Sequence, residues 1–105
     1  MKLKVTKLEA VENEIKALEP VQQELLKSEY AKIENEGIEF VRVKPIQKKI
    51  FEIKSNELRS LFKYKEGQII VVGVVFVKKT QKTPSKEIKR AEDIRIEYFN
   101  TKNRK

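Results

Sequence analysis

Three lysines, Lys78, Lys79 and Lys82, follow directly on the run Ile-Ile-Val-Val-Gly-Val-Val-Phe-Val at residues 69–77. That run is apolar at both parities, which is the signature of a central strand buried on both faces. A rigid strand that delivers a cation cluster to its own end, ahead of a helix start at Thr83-Pro84, can anchor a phosphate-bearing ligand. A second group lies upstream. If Phe51 and Ile53 point into the core, strand alternation puts Glu52 and Lys54 on the opposite face, and Arg59 can approach them from the neighbouring strand.

The rest of the composition narrows the chemistry. The chain has 105 residues with no histidine and no cysteine, so disulfides, thiol catalysis, thiolate metal sites and imidazole bases are excluded. Any reaction must use Lys, Arg, Glu, Asp or Tyr, and neither a cofactor nor a metal is expected. The formal net charge is +8, and it is unevenly spread. Residues 1–40 hold 6 Lys and 9 Glu and carry −3, residues 41–77 carry +5, and residues 78–105 carry +6. An acidic-leaning first part and a basic remainder suggest a polyanion face on one side of the molecule.

The elements that must position these residues are legible in the periodicity. Thr6-Lys7-Leu8-Glu9 has capping-box spacing, and Leu8, Val11, Ile15 and Leu18 recur at helical intervals. Pro20 fits the first turn of a second helix carrying Val21, Leu25, Leu26, Tyr30 and Ile33, which stops before Gly37. Glu12, Glu14, Glu24, Glu29, Glu34 and Glu36 are expected on a solvated face. The two helices read as a hairpin, preceded by a very short strand at Leu3 to Val5. From Phe40 the period becomes two, with turns at Ser55-Asn56 and Glu66-Gly67, giving an antiparallel meander of three or four strands. Thr83 as N-cap and Pro84 in the first turn open a last helix with Ile88, Ala91, Ile94 and Tyr98 on one face. The expected fold is α+β, a single domain over residues 1–99, with a basic, unstructured tail at 100–105. No apolar run approaches the length of a membrane span and no signal-like leader is present, so a soluble, cytoplasmic protein is expected.

The segment Phe76-Val77-Lys78-Lys79-Thr80-Gln81-Lys82-Thr83-Pro84, followed by Ser85-Lys86-Glu87-Ile88-Lys89-Arg90-Ala91, resembles the toxins of bacterial type II toxin–antitoxin systems of the RelE/HigB kind, in their phage-derived branch. Ile50-Phe51-Glu52-Ile53-Lys54 is a second, shorter match, with Lys54 standing where the family usually has arginine. The resemblance implies a RelE-like fold, a helical hairpin on one side of a small twisted antiparallel sheet. It implies an mRNA endonuclease acting in the ribosomal A site, and a cognate antitoxin, often a helix-turn-helix protein of the HigA kind. The related ParE branch poisons gyrase instead.

Metal-free RNA cleavage needs a base near the 2′-hydroxyl, cations around the developing phosphorane charge and an acid for the leaving oxygen. In that frame Lys54 and Arg59 bind phosphate and stabilise the transition state. Glu52 is the candidate base, and a lysine could act as base or acid. Lys78, Lys79 and Lys82 hold the RNA backbone, and Tyr64 or Tyr98 could stack on a base. Cross-strand pairing with Glu52 or Glu57 explains Lys54 and Arg59 equally well. Three functions stay open: the ribosome-dependent nuclease, a non-catalytic gyrase inhibitor, and a decayed toxin that serves as a basic RNA-binding module.

Overall fold

A computed structural model describes residues 1–94. The element order is β1 (Lys4–Lys7), α1 (Glu9–Lys16), α2 (Pro20–Asn35), a 3-10 turn (Ile38–Phe40), β2 (Arg42–Gln47), β3 (Ile50–Ser55), β4 (Leu58–Lys65), β5 (Ile69–Val77) and α3 (Ser85–Glu92). The α+β class is as expected, but the sheet is larger than three or four antiparallel strands. It has five strands in the order β1-β5-β4-β3-β2, and it is mixed, because β1 runs parallel to β5 from Lys4↔Ile69 to Lys7↔Val72. The short first strand is therefore real but lies at Lys4–Lys7, and it takes in Thr6. Thr6 consequently does not cap α1, whose N-cap is Leu8 with no side-chain bond. The capping box belongs to α2: the Glu19 side chain accepts from the backbone of Gln22, and the Glu19 N–H donates to Gln22 Oε1 at 3.1 Å, with Pro20 at N1. Asn35 ends α2, and Gly37 turns the chain at φ 137°, a conformation that an L side chain rarely adopts.

The meander appears as read, with β2, β3, β4 and β5 paired antiparallel in sequence. Its turns carry positive φ at Lys49, Asn56, Gly67 and Gln68. Both faces of the sheet are covered. On one, Ile53, Phe62, Ile70, Val72 and Val75 pack against Val11 of α1 and Leu26, Tyr30 and Ile33 of α2. On the other, Ile50, Leu61, Val71 and Val74 meet Ala91 and Ile94. α1 lies mainly on β5 and α2 on β1, the 3-10 turn and β3, so the two helices are joined as a hairpin in sequence but each docks separately on the sheet.

The β4–β5 register slips between Leu61 and Phe62, where Leu61 faces Val74 and Phe62 faces Val72, leaving Gly73 as an extra residue. A Cβ at Gly73 would come within 2.3 Å of Ile94 Cγ1. Beyond this bulge β5 has left β1 behind, and the free N–H of Val75 is taken by Glu14 Oε1 at 3.0 Å. Glu14 Oε2 accepts from Arg90, which also bonds Glu87 Oε1 at 2.9 Å. Glu14 thus joins α1 to α3 around the sheet edge instead of facing water, and the same ion pair raises the pKa of Arg90. Glu34 likewise closes the outer edge of β1, accepting from the Val5 N–H at 2.9 Å. α3 begins one residue later than expected, with Pro84 as N-cap, and Ile94 packs beyond its end. Tyr98 and the tail at 100–105 lie outside the described residues. No helix among the described residues is long and apolar enough to cross a membrane.

Candidate functional site

The β3 alternation works as expected in direction: Ile53 and Phe51 pack on the α1/α2 side, and Glu52 and Lys54 lie on the α3 side. That side is not an open surface. The segment between β5 and α3 returns across it, and the Thr83 hydroxyl donates to Glu52 Oε2 at 2.7 Å. Glu52 is left only 1% exposed. Arg59 Nε stands 3.7 Å from Glu52 Oε1, and Lys44 Nζ stands 4.0 Å from the same oxygen. A buried carboxylate is costly unless paired, and here two cations and a hydroxyl compensate it.

Arg59 is itself 8% exposed. Its Nη1 donates to the carbonyls of Asn56 at 2.5 Å and Leu58 at 2.9 Å, closing the β3–β4 turn in which Asn56 sits at φ 56°. Its Nε is buried and has no hydrogen-bond partner among the described residues. Glu57 is not its counter-charge; that carboxylate accepts from Gln22 Nε2 at 2.8 Å, which lowers its pKa.

Strand register then assembles more charge than the sequence reading found. Arg42 faces Lys54 across β2–β3, and Lys54 faces Arg59 across β3–β4, so three cations stand side by side in one cross-strand row. One step along, Lys44 faces Glu52, which faces Leu61. Directly opposed like charges are destabilising in a sheet, and an anion laid along the row would relieve that repulsion. Arg42 and Lys44 do not stand out in the sequence, because the period-two stretch after Phe40 does not say which of its residues face Lys54 and Glu52. The Lys48-Lys49 turn alone does not show it, because the β2–β3 register shifts by one residue between Pro45 and Gln47, and only that shift brings Arg42 opposite Lys54 and Lys44 opposite Glu52.

The three loop lysines divide. Lys78 is half-buried, and its N–H donates to the Glu57 carbonyl at 2.8 Å, extending β5 beside the turn before β4. Lys79 and Lys82 are exposed. Lys82 and Thr83 line one shallow groove with Lys44 and Ile46 of β2 and Ile88 of α3. Lys82 therefore shares a groove with Lys44 next to Glu52. Tyr64 is on the other face, edge-on to Phe51 at 5.0 Å and to Phe62 at 5.3 Å, away from the cation row. Among the described residues no three acidic side chains gather as a metal cradle.

Fold and site together define a small basic α+β protein whose sheet carries a cross-strand row of cations beside a buried carboxylate, bridged by a basic loop. The chain matches the model of the family described as Phage derived protein Gp49-like (DUF891) over residues 13–95, and it belongs to that family. No curated protein matches it.

Proposed function

We propose that this protein is the toxin of a type II toxin–antitoxin system, of the RelE/HigB kind, and that it inhibits translation in the cytoplasm by cutting mRNA on the ribosome. The observation that carries the reading is the Arg42–Lys54–Arg59 row beside Glu52, a phosphate-binding surface with a carboxylate one register step away. Membership of a phage-derived family and the signature at Phe76 to Pro84 support it. In this mechanism Lys54 and Arg42 grip the scissile phosphate and spread its developing negative charge. Arg59 holds Glu52 in place, and Lys79 and Lys82 track the RNA backbone. Glu52 takes the 2′-hydroxyl proton only after Thr83 swings away, since its burial leaves no direct path to substrate. The 2′-oxygen bonds to phosphorus as the bond to the 5′-oxygen breaks, and the leaving 5′-oxygen takes a proton from a lysine ammonium of the site. The partner is a cognate antitoxin, a helix-turn-helix protein of the HigA kind.

One observation favours a second reading. Arg59 Nη1 is already committed to two backbone carbonyls, so its fork is not free to clasp a phosphate in two-pronged fashion. A non-catalytic inhibitor of gyrase, as in the ParE branch, needs no such clasp. Inducible expression in a bacterial host, with growth followed and mRNA 5′ ends mapped, separates the two. Arrest with new cuts inside translated codons, abolished by Lys54→Ala with Arg42→Ala, is the expected result. Arrest with intact transcripts selects the gyrase reading, and normal growth reduces the protein to a basic RNA-binding module.

A further inference from the structure

We propose that Phe40, with Arg42 and Lys54, forms a subsite for one unstacked nucleotide of a single strand, its base lying on the phenyl ring and its phosphate between the two cations. The proposal deepens the RNA reading above and rests on it for the physiological ligand, whereas its test is a binding measurement that requires neither cleavage nor toxicity.

Phe40 ends the 3-10 turn and is 58% exposed, while its neighbour Val41 packs on the core. The chain on either side is fixed: the Phe40 N–H donates to the Gly37 carbonyl at 3.2 Å, the Val41 N–H donates to the Ile38 carbonyl at 3.2 Å, and β2 starts at Arg42. An exposed ring on an anchored backbone is a stacking platform that loses little freedom when a base covers it. Phe40 lines a cavity of about 440 Å³ whose wall includes Leu25, Arg42 and Lys54. That size falls within the range of small-ligand sites.

The electrostatics point to an anion. Glu29, the one carboxylate among the described residues that line the cavity, is already engaged by Lys32 Nζ at 3.4 Å and by the Ser55 hydroxyl at 3.3 Å. Arg42 and Lys54 make no ion pair among the described residues. An aromatic face and two unpaired cations in one cavity match a nucleotide, which offers a π-face and a phosphate a short distance apart. Both cations also belong to the cross-strand row, at the margin where the cavity wall supplied by α2 meets β2 and β3.

The test is fluorescence anisotropy at low salt with three labelled probes about ten nucleotides long: oligouridylate, oligothymidylate and an abasic deoxyribose-phosphate chain. Phe40→Ala is expected to weaken oligouridylate roughly 5- to 150-fold, the span of one base–aromatic stack, and to leave the abasic chain unchanged. Phe40→Leu, which keeps an apolar side chain and removes the π-face, should behave alike. Arg42→Ala with Lys54→Ala should weaken all three probes and lower the salt slope by about 1.4, at about 0.7 for each cation contact with a single strand. Equal Phe40 dependence for oligothymidylate assigns the site to the nucleotide irrespective of sugar, and dependence for oligouridylate alone assigns it to RNA. Both results support the subsite. Binding by Phe40→Ala equal to that of the parent, equal losses on all three probes with melting temperature preserved, or no binding of any probe by the parent would overturn it. A protein that never cuts mRNA can still pass this test, and an active nuclease can fail it.

Discussion

The Thr83 hydroxyl donates at 2.7 Å to Glu52 Oε2, fastening the basic segment after β5 to the middle of β3. Removing that donor leaves a buried carboxylate short of one partner. Thr83→Val should cost about 1–3 kcal/mol in urea unfolding and speed amide exchange at residues 78–82. Unchanged exchange there would mean that the segment is held by something other than this bond.

Arg59 and Lys54 face each other across β3–β4 but should respond differently to truncation. Arg59→Ala releases two carbonyls and strips Glu52 of its nearest cation, with an expected loss of about 3 kcal/mol. Lys54 is exposed, and Lys54→Ala should stay within about 0.5 kcal/mol, or stabilise slightly by relieving the cation row. Thermal unfolding of both variants checks this. It also decides which of the two gives a clean reading of function.

Gly73→Ala drives a methyl group into Ile94, whose Cγ1 and Cδ1 would lie 2.3 and 2.5 Å from the new Cβ. Overpacking of that kind costs about 1–3 kcal/mol. Ile94→Ala in the same chain should recover part of it, visible as a coupling energy in a double-mutant cycle. Strict additivity would show that Ile94 does not rest on the bulge.

Tyr30 is buried among the α2 and sheet side chains, and its hydroxyl shares a 2.7 Å hydrogen bond with Ser60. Burial pushes its phenol up to about 12 from an ordinary 10.0. The folded state therefore holds the proton more tightly than the unfolded one, and stability should fall as pH rises from about 10 toward 12. Titrating lysines contribute to any such fall, so the Tyr30→Phe variant is the control. Its stability should drop less over that window, at the cost of about 1 kcal/mol near neutrality for stranding Ser60.

Elements governed by neighbouring residues were legible in the sequence. Pro20 fixed the start of α2, Gly37 its end, and the apolar run at 69–77 the strand β5. What escaped depends on residues far apart. Nothing local in Lys4–Lys7 says that it pairs parallel with Ile69–Val72, so Thr6 looked like a helix cap. Gly73 hid inside an unbroken apolar run because a bulge changes partner rather than composition. At the site, alternation placed Glu52 and Lys54 together, but only the return of Thr83 across the sheet turns Glu52 from an exposed group into a buried one.

The parallel pairing of β1 with β5 also sets a schedule for synthesis. β1 is made first, yet its partner lies at Ile69–Val72, more than sixty residues later. On the ribosome the first strand must wait, together with Glu34 and Glu14, until the fourth hairpin strand emerges. Thr83 and Ile94 follow later still, so the β3 carboxylate and the underside of the bulge are among the last parts to be covered. A nascent chain shortened before residue 83 would expose both Glu52 and the apolar face that α3 covers, and is more open to proteases and chaperones than the chain that has made α3.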